Sequence, residues 1–413
     1  MKSQLLKGGL CSLLALSSCL VAPTAFAQEA VVTFEEALKA SKALSNFRLR
    51  YEGADFDNGT ESADALTYRA RVGFETGTFL DTKFLIEIDH VQDIAGNFND
   101  TINGNTGFAV IADPDVTELN RFQLTNTSLP DTKVTLGRQR IILDDSRFVG
   151  NVGWRQNEQT YDAVRVINTS VAGLTLDASY IDQVNRIFGD DSPVGRFDSD
   201  SWILNAGYKL PIEGFDLKVS GFGYLLDLSN AGLSTNTFGA KLNAKKGPLS
   251  VAASYATQSD AGDNPTDFSA NYYFAEGKFQ HEGFSASIGY EVLGADEDSA
   301  GRFTTPLATL HKFNGFADVF LATPTEGLED IYVRADYKTG AVGPLPFINA
   351  WVRYHNFSSN EGGIDFGSEI DAVVATKLTK KLGLLFKFAD YYQGDDGTPF
   401  DRTRYSVQLD YSF

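Results

Sequence analysis

From Leu44 to the C-terminus, apolar residues recur at alternate positions, and Gly, Pro, Asn, Asp and Ser cluster between the runs. That period belongs to β-strands, whose successive side chains point to opposite faces. The final stretch is the clearest: Thr403, Tyr405, Val407, Leu409, Tyr411 and Phe413 share one face, and Arg402, Arg404, Ser406, Gln408 and Asp410 share the other. A soluble antiparallel sheet turns its polar face to water and buries the apolar one. A membrane barrel does the reverse, with apolar residues toward lipid and polar residues toward the lumen.

The alternation and its turn signals predict eighteen strands, at 44–52, 65–76, 80–92, 117–128, 132–143, 160–168, 174–184, 200–210, 215–228, 234–245, 248–258, 267–279, 284–293, 329–338, 346–357, 366–378, 382–392 and 402–413. Connections alternate in length. Short ones include Thr76-Gly77-Thr78, Ser128-Leu129-Pro130 and Thr379-Lys380-Lys381; long ones include 93–116, 144–159, 185–199, 294–328 and 394–401. Outer-membrane barrels have short periplasmic turns and longer extracellular loops. An even strand number then puts both termini on the periplasmic side. Tyr51, Phe74, Tyr255, Tyr290, Tyr337 and Tyr391 fall near strand ends, as aromatic girdles do. The rival fold, a large soluble all-β protein, would bury some strands on both faces, yet few continuous apolar runs occur and no motif repeats at a fixed period. The expectation is an all-β transmembrane antiparallel barrel of about 18 strands, with periplasmic termini and long extracellular loops.

The start of the chain is a targeting segment. Lys2 and Lys7 precede the mostly apolar run 8–21, and Ala25-Phe26-Ala27 is a small-x-small cleavage site. Residues 1–27 therefore read as a signal peptide. A competing lipoprotein box, Leu16-Ser17-Ser18-Cys19, is less consistent with the Ala-x-Ala site downstream. Both cysteines, Cys11 and Cys19, lie in this leader, so the mature chain has no disulfide, thiol nucleophile or cysteine metal site. Residues 28–43 read as a short periplasmic segment, with Thr33 and Glu36 placed to cap a brief helix; 44–413 form the barrel.

Without Lys2 and Lys7, 33 basic residues face 54 acidic ones, a net charge of −21 that argues against nucleic-acid binding. The distribution matters more than the sum. Alternation turns Arg48, Arg50, Arg69, Arg71, Arg121, Lys218, Lys241, Lys245, Arg334, Arg353, Lys387, Arg402 and Arg404 toward the lumen, among Glu52, Glu75, Glu87, Asp89, Asp336, Glu369, Asp371 and Asp410. The acids concentrate in the loops, as at Asp190-Asp191 and Asp296-Glu297-Asp298. A basic lumen with low-dielectric walls attracts carboxylates and phosphates. The plainer reading is that wall charges pair across strands and solvate the pore. An interior of this strand number holds an aqueous channel, which inward-folded loops would narrow. Loops 144–159 and 294–328 are the candidates, because Phe148, Val149 and Trp154 in one and Leu307, Leu310, Phe313 and Phe316 in the other are poorly suited to free water.

The same segments carry a family resemblance. Gly137-Arg138-Gln139-Arg140, the run 144–150, Trp154-Arg155-Gln156-Asn157-Glu158-Gln159-Thr160-Tyr161-Asp162-Ala163-Val164-Arg165 and Thr305-Pro306-Leu307-Ala308-Thr309-Leu310-His311-Lys312-Phe313, with Arg48-Leu49-Arg50-Tyr51-Glu52, resemble the alginate-export family of outer-membrane barrels. The resemblance implies a monomeric barrel with an arginine-rich constriction passing an anionic saccharide, and Arg138, Arg140, Arg155 and Arg165 as pore-lining or loop-anchoring groups. This chain looks shorter than a dedicated exporter. Alternation from Val134 and Leu136 puts Arg138 and Arg140 outward unless a bulge near Gly137, or the end of the membrane span, intervenes.

The four histidines, His90, His281, His311 and His355, show no metal-ligand spacing, and no phosphate loop or nucleophile elbow occurs. No cofactor is expected; calcium at Asp144-Asp145 or Asp296-Glu297-Asp298 is the one candidate, against the simpler reading of solvated acidic loops. The expected function is an outer-membrane anion channel, not an enzyme. Its alternatives are a general or saccharide-uptake porin of little charge selectivity and a sealed surface-binding barrel. Its partners would be outer-membrane lipid and lipopolysaccharide, an anionic solute, and the barrel-insertion machinery that reads the strand ending at Phe413.

Overall fold

The computed structural model describes residues 33–395 and 399–413. The expected leader and its cleavage site lie outside the described residues. The strands are β1 (Lys42–Phe56), β2 (Ala63–Glu75), β3 (Thr82–Asn97), β4 (Val116–Asn126), β5 (Thr132–Gln139), β6 (Thr160–Asn168), β7 (Leu174–Asn185), β8 (Arg196–Leu210), β9 (Asp216–Leu226), β10 (Thr235–Lys246), β11 (Leu249–Asp260), β12 (Ser269–His281), β13 (Phe284–Leu293), β14 (Leu328–Lys338), β15 (Ile348–Ser358), β16 (Asp365–Lys377), β17 (Leu382–Tyr392) and β18 (Arg402–Ser412). Each pairs antiparallel with its sequence neighbours, and β1 also pairs with β18, so the 18-stranded sheet closes on itself. Among the described residues no helix is long and apolar enough to cross a membrane. The one α-helix among the described residues, α1 (Phe34–Lys39), begins at Thr33, whose hydroxyl accepts from Glu36 N while the Glu36 carboxylate accepts from Thr33 N. It rests on the β2–β3 turn, where Gly77 N donates to Ala37 O.

Burial inverts the pattern of a soluble protein. Leu49, Val72, Ile88, Val251, Val333, Val352 and Val407 are exposed on the outer wall, whereas Arg50, Asp89, Glu369 and Asp371 are fully buried inside. Apolar residues on the outside and charges within make sense only where the outer medium is hydrocarbon. Of the expected girdle, Tyr51, Phe74, Tyr255, Tyr290 and Tyr337 are exposed outward, but Tyr391 is buried in the lumen. It shares the inward phase of Lys387 and Ala389, and its neighbour Tyr392 faces out.

The expected bounds match at both ends of β6, β13 and β17. Elsewhere they drift at both ends, most at the extracellular ones. β1 and β3 run on to Phe56 and Asn97, past their expected ends at 52 and 92, through Gly, Ala and Asp residues that carry no alternation. β5 instead stops at Gln139. Just before that end Gly137 takes φ 106°, and a Cβ there would sit 2.3 Å from the Phe122 carbonyl oxygen. Only glycine accepts both conditions cheaply. Gly137→Val should therefore lower the temperature at which the folded barrel, resolved by semi-native electrophoresis, unfolds in detergent; an unchanged transition would contradict this account of the β4–β5 seam.

Candidate functional site

Three extracellular loops leave the rim and fill the lumen. The 140–159 loop crosses it from wall to wall. Asp144 and Asp145 reach Lys218 and Lys241 on β9 and β10, at 3.2 and 2.8 Å. Arg147 reaches Glu291 on β13, at 2.6 Å. Arg155 lies 3.2 Å from Glu52 on β1, and Gln156 donates to Thr67 on β2 at 2.8 Å. The 294–327 loop lies beside it; Gly150 N donates to Leu307 O and Thr309 N to Ser146 O. The 98–115 loop adds Asp113, fully buried, which pairs with Arg50 at 3.3 Å and accepts from Gln156 N at 2.8 Å. Apolar side chains anchor the crossing: Phe148 packs against Phe222, Tyr224, Tyr272 and Phe303 with ring centroids 5.0–6.0 Å apart. Burying one such ring stabilises by about 1.5–3 kcal/mol.

The arginines meet carboxylates almost everywhere. Arg48 pairs with Asp410 at 2.9 Å and donates to the carbonyls of Gly153, Trp154 and Arg155. Arg404 pairs with Glu52 at 2.9 Å, and Arg155 also reaches Asp318 at 3.3 Å. Arg71 binds Asp89 and Glu158; Arg121 binds Glu87; Arg140 binds Glu87 at 2.9 Å and also Glu158. Arg353 pairs with Asp371 at 2.9 Å, and Arg334 with Asp336. Burial opposes ionisation of Glu158, but Arg140 and Arg71 outweigh it and hold the carboxyl well below its ordinary range. Such pairs are expensive to desolvate and costly to break singly, because the surviving charge stays buried.

An aromatic stack joins the two crossing loops. His311 lies flat between Trp154 and Phe316, with centroids 4.3 and 4.7 Å away. Arg50 covers Trp154 from 3.9 Å, and Lys387 Nζ sits 3.6 Å from the Trp154 ring and 3.7 Å from Phe316. Such contacts with desolvated cations are each worth about 2 kcal/mol. Lys387 Nζ is 2.6 Å from His311 Nε2, and His311 Nδ1 is 2.7 Å from Asp318 Oδ1. A lysine ammonium only donates, so Nε2 accepts and Nδ1–H donates to Asp318. Burial lowers the imidazole pKa; Asp318 raises it, Lys387 lowers it further, and it falls from 6.5 to about 3. The loop backbone is wedged alongside: Phe316 N donates to Asp371 and Ala317 N to Glu369, while Gly315, at φ 89°, leaves no room for a Cβ beside the Glu369 carboxylate.

An open cavity lies on the far wall. A cavity of about 290 Å³ is lined by Asp144, Asp145, Lys218, Lys241, Asn243 and Ser254, with Tyr272 and Phe274. Asp144 and Asp145, named above for calcium, are matched to lysines instead. Burial disfavours the Asp145 carboxylate, but Lys241 and Lys312 more than compensate and lower its pKa. Asp296 accepts from the backbone of Ser269 and Asp298. Among the described residues no group of three or more His, Cys, Asp or Glu is arranged to hold a metal.

The architecture matches solved structures along nearly its whole length. Pseudomonas aeruginosa OpdO superposes with a TM-score of 0.69 at 16% identity, covering 92% of this chain and 98% of that one. Pseudomonas aeruginosa OccK9 (OpdG) gives 0.68 at 19% identity, over 91% and 99%. Acinetobacter baumannii OccAB4 gives 0.68 at 15% identity, over 90% and 98%. Residues 4–207 match the family described as Campylobacter major outer membrane protein. This chain is an outer-membrane β-barrel. No curated protein sequence matches it. The resemblance to the alginate-export family gains no support, since neither the matched family nor these structures is described as an alginate exporter.

Of the residues singled out from the sequence, Arg48, Arg50, Arg69, Arg71, Arg121, Arg140, Arg155, Arg353, Arg402 and Arg404 converge on the crossing loops or the wall they touch. Arg165, with Asp177 at 2.5 Å, and Arg334, with Asp336, pair with carboxylates of the wall rather than of the crossing loops. Arg138 is not pore-lining. It registers with outward-facing Phe122, pairs with Asp162 at 2.8 Å and donates to Leu119 O, so the alternation set by Leu136 persists through Gly137. Arg140 turns inward because β5 ends at Gln139. Sequence reasoning missed Asp113 and Arg147; an apolar run at 109–112 inside an acid-rich loop was the available signal.

Two outcomes follow for the barrel's plug. Arg155→Ala takes one cation from Glu52, which keeps Arg404, and the arginine from Asp318, which keeps only His311; it should destabilise the crossing by about 3–5 kcal/mol, read as protease cleavage within 140–159 under conditions where the wild type resists. The depressed His311 pKa means that more protons bind once the loop is released. Its contribution is present above pH 6.5 and is lost as pH falls toward about 3. Loop cleavage should rise over that window in the wild type, with His311→Gln removing part of the rise; identical profiles would refute the neutral histidine.

Proposed function

We propose that this barrel is a passive channel for small solutes, that the passage runs along the β9–β12 side of the lumen, and that it favours anions. One observation carries the reading: the crossing loops pack against the arginine-rich wall, and an open cavity lies against Lys218 and Lys241. Lys312 is exposed on the short helical turn Leu310–Lys312, donates to Asp145 O at 2.5 Å and has no carboxylate within bonding distance among the described residues. Three lysines thus face two aspartates at the passage. A small surplus in a low-dielectric channel biases ion entry without trapping the ion. Most of the arginines are poor selectivity elements, since their charge is matched by a buried carboxylate, as Arg353 is by Asp371 and Arg404 by Glu52. A polyuronate is also a poor fit to so obstructed a lumen; single anionic sugars and small carboxylates suit it better.

Purified protein in planar bilayers, under a salt gradient, should give a reversal potential on the anion side, moved toward the cation side by Lys312→Glu. Cation preference in the wild type, or conductance indifferent to Lys312, overturns the anion reading. No conductance, with no swelling of protein-loaded liposomes in small sugars, favours the sealed barrel.

A further inference from the structure

Apart from Lys218, Lys241, Lys312 and Lys387 at the crossing loops, basic charge is sorted by residue type along the barrel axis. Arginine occupies the lumen and the crossing loops. Lysine collects at the opposite end: Lys133, Lys209, Lys245, Lys278, Lys338 and Lys377 stand at or near the short-turn ends of β5, β8, β10, β12, β14 and β16. Each shares strand parity with a buried lumen residue, respectively Thr135, Ile203, Lys241, Tyr272, Asp330 and Val373, so all six turn to the inner face of the periplasmic mouth. Lys209 pairs with Asp216 at 3.0 Å; the other five have no carboxylate partner among the described residues. The long loops carry the opposite sign, as at Asp190, Asp191, Asp263 and the run Asp296-Glu297-Asp298.

From this juxtaposition we infer that the channel is a bipolar conductor that rectifies: it passes more current when the extracellular side is positive than when it is negative. This rests on the channel reading above. With the outside positive, cations enter through the acidic mouth and anions through the lysine mouth. Each species meets attractive charge first, and both accumulate at the crossing loops. Reversed, cations enter past lysines and anions past carboxylates, and the centre is depleted. The effect requires the charged zones to span the passage, which holds while the screening length is about 10 Å near 0.1 M salt and fails at about 3 Å near 1 M. The local potentials involved are of order several kT.

The test is current–voltage recording on full-length protein inserted in one orientation, with that orientation fixed by one-sided proteolysis of the extracellular loops. In 0.1 M potassium chloride, the conductance ratio between the two polarities should be about 1.5 or more, larger with the outside positive, and should approach 1 in 1 M salt. The quadruple variant Lys245→Gln, Lys278→Gln, Lys338→Gln, Lys377→Gln should lose most of the asymmetry, and the matching four Lys→Arg substitutions should keep it. A symmetric wild-type trace at low salt, an asymmetry of opposite sign, or one untouched by the glutamine variant overturns the inference and leaves the channel reading standing. Absence of any conductance overturns the channel reading itself.

Discussion

Everything in this molecule depends on the closure of β1 against β18. A bilayer interior offers no water to unpaired backbone groups, so a sheet inside it has no tolerable edge. The Asn46–Phe56 register against Arg402–Ser412 removes the last one. Once the sheet is a cylinder, each strand has one face in hydrocarbon and one in the lumen. The alternation that looks like ordinary amphipathicity in the sequence then becomes an inside-out protein, with Val251 and Val333 on the surface and Arg50 and Asp371 at the core.

A lumen lined with charges must be solvated or neutralised, and this barrel neutralises. Acids and bases from wall and loops are matched so closely that loop 140–159 acts as a transverse strap, tied to β1, β2, β9, β10 and β13. The aromatic stack around His311 does with π-faces what the carboxylates do elsewhere: it accommodates two cations, Arg50 and Lys387, beside a neutral imidazole. On the proposed reading, selectivity rests not on the conspicuous arginines but on a few lysines of the opposite wall.

The wall was legible in the sequence because its physics is local. Period two is set by the pleat, turn chemistry by a few residues, and both survive without knowledge of the partner strand. Arg402 and Arg404 could be turned inward from Tyr405 and Val407 alone. The plug was legible only in part. Phe148, Trp154 and Phe316 announced that their loops cannot stay in water, but nothing local says that Asp113, in a third loop, meets Arg50, or that Arg147 meets Glu291. These are pairings across the lumen between distant segments. Arg138 shows the opposite error, in which a motif resemblance drew inward a residue that plain alternation had placed correctly outside.

Glu52 has a consequence for how the protein acquires its shape. It lies on β1 and holds Arg155 in the crossing loop and Arg404 on β18, the latter separated from it by 352 positions in the chain. The strap is therefore fastened to the same seam that seals the barrel. A chain with its first and last strands still apart has no complete anchorage for the loop, and contacts of such sequence separation form late. Wall and constriction therefore share one fastening, so whatever parts β1 from β18 also loosens the loop that narrows the lumen.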